Sequence, residues 1–340
     1  MGVDISDIVP KVQKKLFEFK NKIIAIDAYN AIYQFLAIIR QPDGTPLKDA
    51  YGRATSHLSG LFYRTANLID FDIKPVYVFD GKPHKLKMQT IEARVDIRAK
   101  AAIEWKEALE RGDIETARIK AQQSARITPE IVEESKTLLH ALGVPCIEAL
   151  GDGEAQASYI VKKGDAYAVA SQDFDSVLFG APVLIRNIAI TGKRKLPRKN
   201  LYVEVEPEEI QTEKLLESLT LTREQLVDIG ILVGTDFNIG IRGIGPKKAL
   251  KLIKEHSNLD NVLKALGERR IEHYEEIRAI FLNPAVTDNY KLNWCEVNEE
   301  LVKDFLCKEH NFSVQRVENA LKKFKISVEP KTQKSIEDWF

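Results

Sequence analysis

Short apolar runs rich in β-branched and aromatic residues recur through the first two-thirds of the chain. KIIAIDA (22–28), KPVYVFD (74–80) and AYAVAS (166–171) are the clearest, VPCIEA (144–149) is weaker, and APVLIRNIAI (181–190) holds another strand or two. Between them lie segments with helical periodicity at 51–69, 90–110, 129–142 and 154–163. Strands alternating with amphipathic helices predict βαβ units, hence an α/β fold with a mostly parallel central sheet flanked by helices. The stretch from Lys82 to about Arg126 departs from this rhythm: it is a long, charged helical insertion with little continuous apolar face. From Thr222 to Lys325 the pattern is helical without a solenoid repeat. The closing SVEPKTQKSIEDWF reads as a flexible tail.

Composition narrows the class. At 340 residues, 44% hydrophobic and 29% charged, the chain is long enough for a large core and reads as soluble and globular. No apolar run reaches membrane-spanning length, and MGVDISDIVPKVQKK lacks the apolar stretch of a signal peptide. Cys146, Cys295 and Cys307 are too scattered for a zinc site or a disulfide framework, so they are expected to be reduced thiols in an intracellular protein. Fifty basic and fifty acidic residues cancel, yet TGKRKLPRKN holds five cations and no acid, while acids gather at strand ends. A neutral total can hide a negative pocket inside a positive rim.

The acids carry the candidate chemistry. Asp27 closes one strand run and Asp80 another; Asp152 and Glu154 follow the weak strand, and Asp173 and Asp175 follow AYAVASQ. In an open parallel sheet the carboxyl ends of the strands share one edge, so these six carboxylates are expected to converge. The i, i+2 spacing of the two pairs aims both side chains the same way where the backbone is extended. Singly, each acid is as well explained as a helix cap, Asp27 and Asp152 especially. Together they repel unless cations neutralise them, and an all-oxygen set without histidine suits Mg²⁺ or Mn²⁺. A pair of such ions is the usual apparatus for phosphodiester hydrolysis. Asp236, in DIGILVGTDFNIG, ends a helical segment and is not placed by these arguments.

Positive charge and glycine supply a second theme. In NIGIRGIGPKKALKLIKEH, Gly243 and Gly245 allow a tight hairpin and Pro246 suits a helix start, whose backbone N–H groups can hold a phosphate. Lys247 and Lys248 add charge there. The alternative is a plain turn between helices; a nucleotide-binding P-loop is excluded by the spacing. Lys87 and Arg94 stand seven apart on one helical face with Arg98 close by, which fits either a solvated face or a phosphate clamp. Gln333, Ile336, Trp339 and Phe340 would form one sticky face of a helical turn, awaiting a partner or docking on the chain's own domain.

With these residues laid out, the chain resembles the flap endonucleases, structure-specific 5′ nucleases of DNA replication and repair, most of all the archaeal ones. MGV, AIDAYNAIYQFL, KPVYVFDGKP, GDGEAQASY, ASQDFDSVLFG, GTDFNIGIRGIGPKKA and QKSIEDWF carry the likeness across essentially the whole chain. It implies a PIN-like 5′-nuclease fold over 1–325. The sheet core would span 1–81 and 127–221, a helical arch 82–126, a helix-hairpin-helix region 222–260 and C-terminal helices 261–325, with a clamp-binding tail at 326–340. It implies two Mg²⁺, Mn²⁺ substituting, with Asp27, Asp80, Asp152 and Glu154 nearer one ion and Asp173, Asp175 and Asp236 nearer the other. Asp152 stands where the family usually has Glu, so a water-bridged contact is expected there. Lys87 and Arg94 correspond to the arch cations on the scissile phosphate, Tyr33 to a stacking aromatic, and Gly2 to the processed N-terminus near the site. Arg40, Arg98 and Arg242 join Gly243, Gly245, Lys247 and Lys248 as expected DNA contacts, with K⁺ at the hairpin.

Gln333, Ile336, Trp339 and Phe340 match a sliding-clamp motif of the PCNA-interacting type. The expected protein is an intracellular monomer away from membranes, cytoplasmic and nucleoid-associated if archaeal. A catalytically silent junction or clamp adaptor, and a bubble-cutting or exonucleolytic relative, are the rival readings.

Overall fold

The computed structural model describes residues 2–188, 192–195, 202–267 and 271–326. Its centre is a seven-stranded sheet in the spatial order β1 (Val12–Gln13), β9 (Glu208–Gln211), β6 (Val183–Arg186), β5 (Ala168–Ala170), β2 (Ile23–Asp27), β3 (Lys74–Phe79) and β4 (Cys146–Glu148). The strands β6, β5, β2, β3 and β4 run parallel, β9 pairs antiparallel with β6, and β1 pairs antiparallel with β9 at that edge. A separate ribbon pairs β7 (Gly192–Lys195) with β8 (Tyr202–Val205). The helices are α1 (Ala28–Ile38), α2 (Ser56–Asp70), α3 (Met88–Glu110), α4 (Ile114–Gln123), α5 (Pro129–Ala141), α6 (Gly153–Lys162) and α7 (Asp175–Leu178) in the first part. They continue as α8 (Thr212–Leu219), α9 (Arg223–Val233), α10 (Pro246–His256), α11 (Leu259–Ala265), α12 (Tyr274–Leu282), α13 (Glu299–Lys303) and α14 (Val314–Ile326).

Strand alternation sorts the core into two layers. Ile24, Ile26, Tyr77 and Phe79 face the layer built by α1, α2, α5 and α14, whereas Ala25, Val76, Val78 and Val169 face the layer of α6, α7 and α9 through α12. This is the α/β class with a largely parallel sheet that the periodicity predicts. Chain order leaves β2 by moving first to β3 and β4, then returns to β5 on its other side. The direction of winding therefore reverses between β2 and β5, the place where such sheets open a crevice at their carboxyl ends.

The structure corrects three local expectations. The helix expected from residue 51 begins at Ser56, because Asp49 ties the preceding loop by accepting the Tyr51 and Arg53 N–H groups, each at 2.9 Å. The expected helical run to Lys325 is interrupted between α12 and α13. There Gln156 exchanges two 2.8 Å hydrogen bonds with Thr287, and the Trp294 indole donates to the Pro75 carbonyl at 2.9 Å. Backbone groups satisfied by distant partners need no helix. Within 181–188 one strand forms, β6; residues 189 and 190 lie outside the described residues.

The insertion after β3 is a helical hairpin. α3 and α4 meet through Ala101, Ala108, Ala117 and Ala121, and these small side chains let two otherwise polar helices approach closely. The fully buried side chains of its two helices are all alanines, which hydropathy patterning barely registers.

Candidate active site

β2 ends on Asp27, β3 delivers Asp80 one residue past its end, the β4–α6 turn carries Asp152 and Glu154, and the β5–α7 turn carries Asp173 and Asp175. All four segments finish at the same edge. Asp236 reaches it from the loop after α9 and is gripped there by the arch cations. All seven acids therefore meet at one crevice, Asp236 included. The pairs do not sit on extended backbone, as expected from their spacing. Glu154 lies in the first turn of α6 and Asp175 opens α7, so each pair straddles a strand-to-helix turn.

Local hydrogen bonds fix the carboxylates. Asp27 caps α1, accepting the Asn30 N–H at 3.1 Å, so the capping reading and the crevice reading both hold for it. Asp152 occupies the cap position of α6 without a capping bond, because its carboxylate turns to Lys87 instead. Asp80 accepts the Gly153 N–H at 2.6 Å and Asp175 accepts the Val3 N–H at 2.8 Å. Two neutral residues missed by sequence reasoning complete the frame. Asn30 donates to Asp173 at 3.2 Å and accepts the Gln172 N–H at 3.2 Å, and Ser176 donates to Glu154 at 2.9 Å. Asn30 was discoverable as the third residue after Asp27 on the same helix face; Ser176 had no comparable signal.

The electrostatics show crowding. Burial raises Asp27 well above the usual carboxylate range, with Asp80 and Asp173 adding to it. Burial raises Glu154 likewise, with Asp175, Asp27 and Asp173 adding. Asp175 is pushed up to about 7 by burial, then by Asp236 and Asp173. Asp80 is raised by burial against the pull of Lys87. For Lys87, burial opposes the ammonium, but Asp152, Asp80 and Asp236 outweigh it and hold its pKa above the ordinary lysine value.

Lys87 contacts Asp152 and stands 3.6 Å from Asp236, and Arg94 takes both Asp236 oxygens. Among the described residues, no three His, Cys, Asp or Glu side chains are already gathered closely enough to hold an ion. The donor chemistry nevertheless fits a hard divalent cation: the converging ligands are carboxylates only, and they carry charge that Lys87 and Arg94 alone do not cancel.

Around the crevice the other expected residues fall at different places. A Cβ on Gly2 would stand 2.4–2.8 Å from the Asp175 carboxylate, so the backbone must pass there without a side chain. Tyr33, on α1, lies under the Arg98 guanidinium at 5.1 Å. Arg40 spends two donors on the Leu36 and Gly44 carbonyls, at 2.7 and 2.8 Å, and so braces the loop after α1. At the glycine hairpin, Gly243 has φ +82 and Gly245 caps α10 with no side-chain bond, which leaves the helix start open. Arg242, Lys247 and Lys248 are exposed there, with Lys247 3.3 Å from Asp7. Gln333, Ile336, Trp339 and Phe340 lie outside the described residues.

A parallel sheet with an acid-lined crevice at its switch point and arch cations leaning in defines a nuclease of the PIN-like class. The XPG N-terminal domain model matches residues 1–101 and the XPG I-region model residues 143–236. Flap endonuclease 1 of Staphylothermus marinus is 52% identical over the full length of both chains. The solved flap endonuclease-1 from Methanococcus jannaschii superposes with a TM-score of 0.77 at 40% identity, covering 96% of this chain and 99% of that one. The catalytic core of Rad2 in complex with DNA substrate superposes at 0.69 with 22% identity, covering 94% and 97%, and shares the fold. The chain belongs to the flap endonuclease family. It is a DNA nuclease, a hydrolase dependent on divalent metal. Among the described residues no helix is long and apolar enough to cross a membrane.

Proposed function

We propose that this enzyme removes 5′ flaps from branched DNA in replication and repair by hydrolysing one phosphodiester near the flap base, with Asp27, Asp80, Asp152, Glu154, Asp173, Asp175 and Asp236 holding two Mg²⁺. The convergence of these seven carboxylates beside Lys87 and Arg94 carries the reading. When bound, the ion pair supplies electrostatic activation of the attacking water and of the leaving oxygen. Lys87 and Arg94 offset charge developing on the phosphate. Tyr33, already a platform for one cation, offers its ring to an unpaired base, and Gly2 leaves room beside Asp175 for backbone passage. Asp152, a methylene shorter than the family's usual glutamate, acts through water. The engagement of its carboxylate by Lys87 supports that reading.

The duplex rests on the glycine hairpin, where the open start of α10 with Lys247, Lys248 and Arg242 meets backbone phosphates, with K⁺ as the family's expected companion ion there. The boundaries 82–126 for the arch, 222–260 for the hairpin region and 326–340 for the tail follow from this division. Gln333, Ile336, Trp339 and Phe340 bind a sliding clamp of the PCNA type, and the enzyme works as an intracellular, nucleoid-associated monomer. Incubation of an end-labelled 5′-flap duplex with Mg²⁺ decides the matter, with EDTA and Asp80→Ala as controls and blunt and bubble substrates alongside. A uniformly intact flap strand would favour the silent adaptor; preferential cleavage of bubbles or blunt ends would favour the other relatives.

A further inference from the structure

The crevice concentrates more negative charge than its polar frame can offset, and two side chains come from the insertion to meet it. Lys87 sits on the short helical turn Lys85–Lys87 and Arg94 two turns later, in α3. Lys87 retains 17% side-chain exposure, touches Asp152 and stands 3.6 Å from Asp236. Arg94 donates to one Asp236 oxygen at 3.2 Å and also takes the other. Neither pairing resembles an exposed surface contact: the Asp152 and Asp236 side chains are 15% and 10% exposed. The same four groups are the ones that the two-metal reading needs for other duties.

We propose that Lys87 and Arg94 are the resident counter-cations of the metal-free crevice, and that their withdrawal couples divalent-ion binding to phosphodiester binding. The inference rests on the assignment of Asp152 and Asp236 to the metal centre. A carboxylate oxygen committed to an ammonium or guanidinium has that much less to offer a divalent ion. A phosphodiester at the crevice mouth gives both cations another anion to engage, by charge-assisted hydrogen bonds of comparable strength. Drawn toward the phosphate, Lys87 and Arg94 free Asp152 and Asp236. Conversely, carboxylates occupied by divalent ions release both cations for the phosphate. Such coupling is reciprocal: whatever factor DNA adds to metal affinity, metal adds to DNA affinity. A purely catalytic role for Lys87 predicts no effect on metal binding when DNA is absent.

The test measures Mn²⁺ binding to the DNA-free full chain through the electron paramagnetic resonance signal of free Mn²⁺. Lys87→Met is expected to bind Mn²⁺ about tenfold more tightly than the native chain, and Arg94→Gln to move the same way by less. Lys87→Arg keeps the charge and stays near native affinity. Lys85→Met, which removes an exposed cation paired with Glu276, leaves it unchanged. Thermal melting keeps the result readable if Lys87→Met is weakened. In EDTA it should melt below the native chain, and Mn²⁺ should raise its Tm by more. Equal or weaker Mn²⁺ binding by Lys87→Met, with native binding intact, would overturn the counter-cation role and leave the metal centre standing. Failure of every chain to bind Mn²⁺ would overturn the metal centre and the inference together.

Discussion

The carboxylate crevice and the glycine hairpin are both poised to meet phosphate, and they are built in opposite ways. The crevice gathers side chains from five separate segments of the chain and holds them buried or nearly so, where burial first and neighbouring carboxylates second raise the pKa of Asp27, Glu154 and Asp175. The hairpin is one continuous stretch, exposed, with a left-handed Gly243 and an uncapped helix start offering backbone N–H groups. Burial makes the first energetically expensive and chemically strong, since charges act in a poorly screened setting. Exposure makes the second cheap, weak and salt-sensitive. Chemistry belongs in the first region and grip in the second.

That division can be broken by substitution. The largest effect is expected for Asp80→Ala, a fall of about 10³-fold or more in single-turnover cleavage with flap-DNA affinity in Ca²⁺ nearly intact; a small fall would remove Asp80 from the chemistry. Lys87→Ala should lower the same rate about 10²-fold, and a change confined to KM would place Lys87 with the gripping residues instead. Replacing Lys247 and Lys248 together by Ala should weaken flap-DNA binding several-fold, flatten its salt dependence by about two units of slope, and leave the single-turnover rate at saturation unaltered. A lost rate at saturation would contradict the separation of the two regions.

Stability should separate them as well. Asp27, Glu154, Asp80 and Asp175 have folded-state pKa values above their ordinary ones, so between about pH 4 and pH 7 the folded chain binds more protons than the unfolded chain. The folded state therefore loses stability as pH rises through that window. In EDTA the Tm should fall by several degrees between pH 5 and pH 8, and Mg²⁺ should remove most of the fall. Asp175→Asn should shrink the slope; Lys247→Ala should not. The smallest effect on basal cleavage, none, is expected from Trp339→Ala with Phe340→Ala, which should abolish stimulation by the clamp, and a marked loss of basal rate would reassign the tail.

How much of this was legible depends on the range of the interaction involved. β2, β3 and β5 were readable because their apolar runs are continuous, and α5 because Thr128 and Pro129 mark its start. The packing of the arch was not, because its buried residues, Ala101, Ala108, Ala117 and Ala121, are small and only weakly apolar. The stretch between α12 and α13 breaks at Pro284 and is then held out of helix by partners far away in sequence, Gln156 on both backbone groups of Thr287 and the Gly143 carbonyl on the Cys295 N–H. In the same way Arg40 was legible as a cation, but its commitment to two carbonyls of its own loop was not.

The sequence by itself determined the inventory of the parallel core: its five strands, the acids that follow their carboxyl ends, and the glycine and proline that shape a hairpin beside two lysines, while the short edge strands β1 and β9 and the β7–β8 ribbon carried no such signal. These are consequences of covalent connectivity and local conformational preference, which act over a few residues. Residue pattern left Asp236 unplaced and only the family resemblance put it among the strand acids; tertiary structure brings it there from a helical segment and bends both carboxylate pairs across turns. It also decided that Lys87 and Arg94 lean into the crevice rather than into solvent. Electrostatic forces between groups more than a hundred residues apart have no address in the sequence until the sheet brings them within a few ångströms.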